Sequence, residues 1–474
     1  MLAIKKALLL LIILLPLILC AQNHDYIWVY GYLNNPDTSS KVGGAVIDFK
    51  QRPPLHYKQT RELNFDLFCA SCADSMGNML FYSNGIRIHN YLNQLIENGD
   101  TINPGTIWQS NQNLGYPSPF GGFALPAPGK ENCYFLFHLP SILNGGQIIF
   151  SPFYYSYIDM DANNGTGKVI TKNQVLKQGD FIQQKAVKHA NGRDWWVLTA
   201  QKSEHLYYLF LITPEGVQGP FTQILGDPFP NSEGRGVTNF SPDGTIYVRN
   251  DANNGLHMMD FNRCTGELSN LRILPYDQTT GFRFGSAVFS PDSRFIYLSN
   301  SNLVVQLDLE APNLDYSAVD TVQMYDNFAD PYPPFLTGYL YPQLGSDGKI
   351  YYSTSGTTPR LHVINRPNLP GLACDVENHG VQLPRFNGRT TCFFPNYRLG
   401  EWEGSPCDTL NGQRPGDGFV KTSYEAFLER QARAPVQKAF SNPSGKTREM
   451  PLDELSIDYW NMKAILERQK KQEP

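Results

Sequence analysis

Apolar and polar positions along this chain follow a phrase that returns about every fifty residues: an apolar strand, a Gly/Asp/Asn turn, then a strand rich in aromatic and β-branched residues. It reads Phe240-Ser-Pro-Asp-Gly-Thr-Ile-Tyr-Val-Arg-Asn250 and Phe289-Ser-Pro-Asp-Ser-Arg-Phe-Ile-Tyr-Leu-Ser-Asn300, and returns as Leu344-Gly-Ser-Asp-Gly-Lys-Ile-Tyr-Tyr-Ser353. Looser copies place further turns near residues 77, 130 and 192, which with those near 243, 292 and 347 makes six. Asp-Gly and Asn-Gly reach the positive φ that a tight hairpin requires. The strands after the turns suit a pleated surface. Several, such as Phe295-Ile-Tyr-Leu298, are apolar on both faces and so predict cover on both sides.

A second hairpin follows each first one, as at Leu256–Ser269 and Tyr157–Val169. Two hairpins make a four-stranded antiparallel sheet, and such sheets arranged radially form a β-propeller. Two end segments, Tyr26–Tyr32 and Thr390–Tyr397, read as strands with no repeat of their own. They are expected to meet in a seventh blade and close the ring. The fold class is therefore all-β: a seven-bladed β-propeller of four-stranded antiparallel blades, followed by a short helical C-terminal tail.

The domain reading runs as a signal peptide over 1–21, a propeller over 22–400, a linker over 401–420 and a helical tail over 421–474. Lys5 and Lys6 precede a short apolar run ending at Leu19, the layout of a secretory signal cleaved after Ala21. Lipidation at Cys20 is the rival reading, although Leu19 stands where that signal wants a small residue. The expected location is outside the cytoplasm: periplasm, cell surface or extracellular. In the tail, Ser423–Arg433 puts Tyr424, Phe427 and Leu428 on one side of a helix. A second stretch, 452–471, spaces Leu455, Tyr459, Met462 and Leu466 for another. These stripes either dock on the propeller or meet an envelope or surface partner.

Removing Lys5 and Lys6 leaves 37 basic residues against 44 acidic ones. No basic run interleaves with aromatics, which argues against nucleic acid. Seven cysteines follow the signal. Cys69, Cys72, Cys374, Cys392 and Cys407 are disulfide candidates, the last three clustering near the expected ring closure. Cys264, in a hairpin turn, reads as the spare. Cys69-Ala-Ser-Cys72 has no second ligand pair for zinc and no thioredoxin-like context.

The stretches Asp74-Ser-Met-Gly-Asn-Met-Leu-Phe-Tyr-Ser-Asn-Gly85, Ala186-Val-Lys-His-Ala-Asn-Gly-Arg-Asp-Trp-Trp196, the Phe-Ser-Pro-Asp phrases and Val363-Ile-Asn-Arg-Pro-Asn-Leu-Pro-Gly-Leu-Ala-Cys374 carry a resemblance over about residues 26–400. The chain resembles a family of secreted seven-bladed, WD40-like β-propellers of Bacteroidota, often found upstream of PKD-type or type IX secretion sorting domains. The resemblance implies architecture and export, and no catalytic motif carries over.

The residues themselves offer little chemistry. There is no G-x-S-x-G elbow, no H-E-x-x-H and no phosphate loop. Asp159-Met-Asp-Ala-Asn163 departs from a calcium loop at its sixth and twelfth positions and reads as a turn. No metal or cofactor is expected. Function then points to the long connections between blades, which open on one face of a propeller. Trp108, Asn111, Glu233, Arg235, Asp277, Arg283, Asp330 and Tyr339 are the candidate ligand contacts there. Aromatic faces beside amides and charges suit a carbohydrate or protein ligand. The favoured expectation is a monomeric, non-catalytic binding or scaffold protein. The alternative is a propeller-fold hydrolase or lyase acting on glycans at the channel mouth.

Overall fold

The Ser-Pro-Asp-Gly phrases close their turns with side chains. Asp243 Oδ1 accepts the Thr245 amide at 2.9 Å, and Ser241 Oγ accepts that of Ile246 at 2.9 Å. Gly244 sits at φ 73°, which glycine reaches without strain. Asp74 does the same work at the looser copy, accepting the Asn78 amide at 2.8 Å. The structure, a computed structural model, describes residues 22–407 and 424–433, apart from 34–36, 38, 120, 145–146, 233, 235, 276–282, 331–334, 388 and 390–391.

Eight antiparallel sheets result among the described residues, seven of them blades and one a two-stranded hairpin. Blade one holds β1 (Ile27–Tyr32), β2 (Gly43–Asp48) and β3 (Leu55–Gln59). Blade two holds β4 (Ala70–Ala73), β5 (Met79–Ser83) and β6 (Ile88–Asn90). Blade three runs β7 (Gly122–Pro126), β8 (Cys133–His138), β11 (Phe153–Asp159) and β12 (Lys168–Lys177). The hairpin β9 (Ser141–Asn144) and β10 (Gln147–Phe150) is inserted between its second and third strands. Blade four is β13 (Lys185–Lys188), β14 (Trp195–Ala200), β15 (Leu206–Thr213) and β16 (Gly216–Ile224). Blade five is β17 (Thr238–Phe240), β18 (Ile246–Asp251), β19 (Gly255–Phe261) and β20 (Leu268–Leu274). Blade six is β21 (Ser286–Phe289), β22 (Phe295–Asn300), β23 (Leu303–Asp308) and β24 (Val319–Met324). Blade seven is β25 (Tyr339–Leu344), β26 (Ile350–Thr354), β27 (Thr358–Ile364) and β28 (Val376–Asn387).

The two-sided apolar strands now have their reason. Ile296 and Leu298 pack in a cluster shared with blade five, while Phe295 and Tyr297 pack in the next cluster, shared with blade seven. Trp196 and Leu198 face blade five, and Trp195 and Val197 face a central cluster that includes blades one, three and seven. Period-two alternation sends successive side chains to opposite faces, and each face meets a neighbouring blade.

Ring closure departs in part from expectation. Ile27–Tyr32 is not a lone strand, because β2 and β3 continue its sheet. Ser71 Oγ donates to the Ile27 carbonyl at 2.7 Å, and the Ala73 amide donates to that of His24 at 3.0 Å. Numbers thus rise along β4 as they fall along β1, so β1 runs as a second strand, not an innermost one. The innermost place is taken by residues 392–395. Cys392 Sγ lies 3.5 Å from the Val29 carbonyl, and Phe394 stacks on Trp28 at 5.8 Å. The two ends do share a blade, but with three strands from the N-terminus. Among the described residues, no ladder joins 392–395 to β1; the segment is held by side chains and a disulfide. In blade two the fourth place is filled by a short return, bridged at His89 and Leu95.

Beyond residue 395 the chain forms a strap across the side of the ring that carries the Asp-Gly turns. Asn396 Nδ2 donates to the Pro242 carbonyl at 2.7 Å, and the Tyr397 hydroxyl to that of Ala124 at 2.6 Å. Arg398 grips Asp25 with two bonds of 2.6 Å, both residues buried. The Trp402 amide reaches the Ala190 carbonyl at 2.8 Å. Residues 401–407, expected as linker, are therefore docked. Helix α2 (Tyr424–Arg433) lays Tyr424 and Phe427 on Trp402, while Leu428 stays exposed. The second expected helix lies outside the described residues, as do Cys20 and the signal.

The disulfides correct the cysteine reading. Cys69 joins Cys392 across 323 residues, and Cys264, expected as the spare, joins Cys407. Cys72 and Cys374 are buried free thiols, and Cys133 is also free. Cys72 faces the apolar layer between blades two and three, away from Cys69, which sits in the central cluster.

Replacing both Cys69 and Cys392 by Ser should cost about 2–5 kcal/mol in urea unfolding, since the bond closes almost the whole ring. Asp25→Asn should cost about 3–5 kcal/mol by stranding buried Arg398. Glu310→Gln, at an exposed pair with Arg294, should cost less than about 1 kcal/mol. Equal midpoints for all three would refute the assignment of closure to the strap.

Candidate functional site

The two sides of the ring differ in how they are built. On one side lie the short Asp-Gly turns, the strap and α2. On the other lie the connections that enter each innermost strand. The longest of these, between blades two and three, carries helix α1 (Thr106–Ser110). Beside it stands the β9–β10 hairpin, tied to the connection by the Tyr116 hydroxyl on the Ser141 carbonyl at 2.8 Å. The hairpin's far end is held by Asp180, which accepts the Phe150 amide at 3.0 Å. Exposed apolar side chains crown this side: Leu114, Leu143, Phe335 and Leu336.

The sequence-derived contact residues meet different fates. Trp108 is half-buried on α1, with Nε1 donating to the Ile86 carbonyl at 3.3 Å. Asn111 is 2% exposed and donates to the Ile107 carbonyl, so it caps its own helix. Arg283 donates to Asn253 at 2.6 Å and stays half-buried at the rim. Asp330 is buried in an ion pair with Arg360 at 3.0 Å. Tyr339 is 1% exposed and bonds Asn378, its ring 4.5 Å from that of His362. Asn111, Asp330 and Tyr339 therefore hold the connections in shape and do not offer themselves to a ligand. Asp330 and Tyr339 share one bundle at the blade six–seven connection; Trp108 and Arg283 belong to other connections. Glu233, Arg235 and Asp277 lie outside the described residues.

A second candidate region was missed in the sequence. The half of the central channel nearest the turns holds a cavity of about 50 Å3, open at its mouth. Its walls come from the innermost strands of blades four to seven, from residues 394–398 and from Asp25. Lys185 lines it at 4% exposure, with Nζ 4.6 Å from the Phe393 ring centroid. Lys188, on the same strand, sits 4.4 Å over Trp195. Burial pushes the Lys185 ammonium down to about 7. Burial, with added repulsion from Arg263, takes Lys188 to about 7 as well. A signal was available. Aligned on the turns, Lys188 stands where other repeats carry Phe240, Phe289 and Leu344, and a cation in an apolar column marks a departure from pure packing.

The arrangement limits the chemistry at the channel. Asp25 is the carboxylate in the cavity wall, and both its oxygens are spent on Arg398. Among the described residues, no three His, Cys, Asp or Glu side chains gather closely enough to hold a metal ion.

No family model matches the chain, and no curated protein matches it. Among solved structures it is similar to a putative 6-phosphogluconolactonase from Bacteroides uniformis, at 15% identity over 75% of this chain and 82% of that one, with a TM-score of 0.37. A functionally unknown protein from Desulfotomaculum acetoxidans matches at 14% identity over 77% and 99%, TM-score 0.40. The Dos1 propeller matches at 11% over 69% and 87%, TM-score 0.32. The class is that of a seven-bladed β-propeller, as the chain's own blades define it.

The lowered lysines tie stability to pH. Each binds its proton less tightly when folded, near 7, than the ordinary lysine value of 10.5. The destabilising contribution is thus full below about pH 7 and is relieved as pH rises toward 10.5. Lys185→Met should raise the urea midpoint more at pH 6.5 than at pH 9.5. An equal gain at both values would show that Lys185 is not held near neutrality.

Proposed function

We propose that this chain is an exported, non-catalytic binding propeller that recognises a glycan or protein partner on the side built by the inter-blade connections. The observation that carries this reading is the asymmetry of the two sides. Over blades one, three, four and five the turn side is crossed by the chain's own strap, with α2 packed on it. The connection side is left open and bears α1, the β9–β10 hairpin and a crown of exposed apolar residues between polar ones. Loops on a rigid scaffold are where recognition is usually built. A hydrolase or lyase needs an acid and a base poised at the substrate. At the channel the lining carboxylate is neutralised by arginine, which favours binding over catalysis. Export rests on the apolar leader and on two disulfides, which persist in oxidising compartments.

Glycan and peptide arrays probed with the mature protein should reveal a ligand. Against that ligand, Trp108→Ala and Arg283→Ala should each weaken binding by about 1–3 kcal/mol if they are anchors. Leu143→Arg, at the exposed hairpin, should weaken it while leaving the melting temperature nearly unchanged. Binding that survives all three changes but is lost on Asp74→Ala, at an opposite-side turn, would place the surface on the other side.

A further inference from the structure

The channel cavity carries a chemistry that the connection side does not explain. Lys185 is buried, yet among the described residues its nitrogen has no carboxylate and no hydrogen-bond acceptor, only the Phe393 ring. The other cation in the wall, Arg398, is already matched by Asp25. An ammonium taken out of water without a counter-charge is costly, and natural interiors pair such groups. Here the space beside it is the cavity that Lys185 lines. Asn239 adds a donor: its Oδ1 accepts the Phe240 amide at 3.1 Å, and no partner is seen for its amide nitrogen among the described residues. The wall also includes Phe394 and the Val288–Phe289 stretch of β21, whose side chains pack into the blade interfaces on either side.

We propose that this cavity binds a small organic carboxylate, its head group held by Lys185 and Asn239 and its body lying on Phe394 and along the edge of β21 at Val288 and Phe289. One ammonium and one amide match a monoanion. A phosphate dianion would call for more donors than these walls supply. The Phe393 face stabilises the ammonium from the side away from the ligand. The charged groups on the packed elements are Lys188 on the same strand with Arg263 beside it, the Arg193–Asp194 pair in the turn after β13, Asp243 in the turn after β17, Asp292 and Arg294 in the turn after β21 (the first bound by Ser290, the second by Asp308), and Asp347 and Lys349 in the turn after β25, together with the Asp25–Arg398 pair. Asp243 is bound by Ser241 and Thr245, and Asp347 by Tyr351 and Lys349. None of these supplies Lys185 with a partner.

Binding should draw a proton onto Lys185, because burial holds the empty-state ammonium near 7 and an anion raises it. Affinity should therefore fall by up to about tenfold per pH unit above neutrality. The test is calorimetric titration of the mature protein with benzoate, phenylacetate and 4-methylpentanoate, with benzamide as neutral isostere and inorganic phosphate as a bare anion. We expect saturable one-site binding of at least one carboxylate, and at least tenfold weaker binding of benzamide and phosphate. The observed heat should change with buffer in the sense of proton uptake at pH 8. Lys185→Met should abolish binding while the protein stays folded. Asn239→Phe, which fills the cavity from a half-buried wall position and leaves the charge, should abolish it too. Benzamide binding as well as benzoate, carboxylate binding unchanged in Lys185→Met, or no carboxylate binding to the folded wild type would each overturn the proposal. Partner recognition on the opposite side is read separately on the arrays and survives any of these results.

Discussion

Every blade of this protein is apolar on both faces, so no blade is stable until its two neighbours are in place. That requirement makes ring closure the constraint on which the rest depends. A linear stack of such sheets would leave one apolar face bare at each end. Here the open ends are the sheet that starts at Ile27 and the sheet that ends at Asn387. They are brought together by β28, whose Phe386 amide bonds the Lys41 carbonyl at 2.8 Å, and by the segment that follows it.

That segment does two jobs with few residues. From Cys392 to Pro395 it supplies the missing innermost position of blade one. From Asn396 to Cys407 it crosses the turn side and touches blades one, three, four and five. Its attachment is largely polar and covalent: two disulfides, a buried bidentate ion pair, and Arg263 reaching the Lys188 and Gly400 carbonyls from a fully buried position. Polar groups of this kind are weak contributors when exposed and strong ones when buried and fully matched. The strap thus fixes one register of closure, where an apolar segment could slide.

Closure also decides where function can sit. The strap crosses the turns of blades one, three, four and five, and the longer connections lie on the other side. The strap also forms one wall of the channel cavity. The buried lysines of blade four belong to this arrangement. Arg263 spends its charge on carbonyls of the strap and of blade four, whereas Lys185 meets only the Phe393 ring among the described residues and lines the channel.

The propeller was legible in the sequence because its determinants are local. Turn chemistry at Asp74, Asp243 and Asp292 and period-two burial along strands such as Phe295–Leu298 depend on near neighbours, and they repeat often enough to reveal the ring. The first blade was misread because its strands lack the Asp-Gly phrase that marks the others. The pairing of Cys69 with Cys392 and of Cys264 with Cys407, the grip of Arg398 on Asp25, and the inward turn of Asn111, Asp330 and Tyr339 were not legible. All but the Asn111 bond join positions tens to hundreds of residues apart, and burial of a polar side chain is set by what packs over it. Sequence by itself determined the unit and its repetition. Tertiary structure alone decided how the ends meet and which polar groups remain free to bind, because those depend on distances that exist only once the ring has closed.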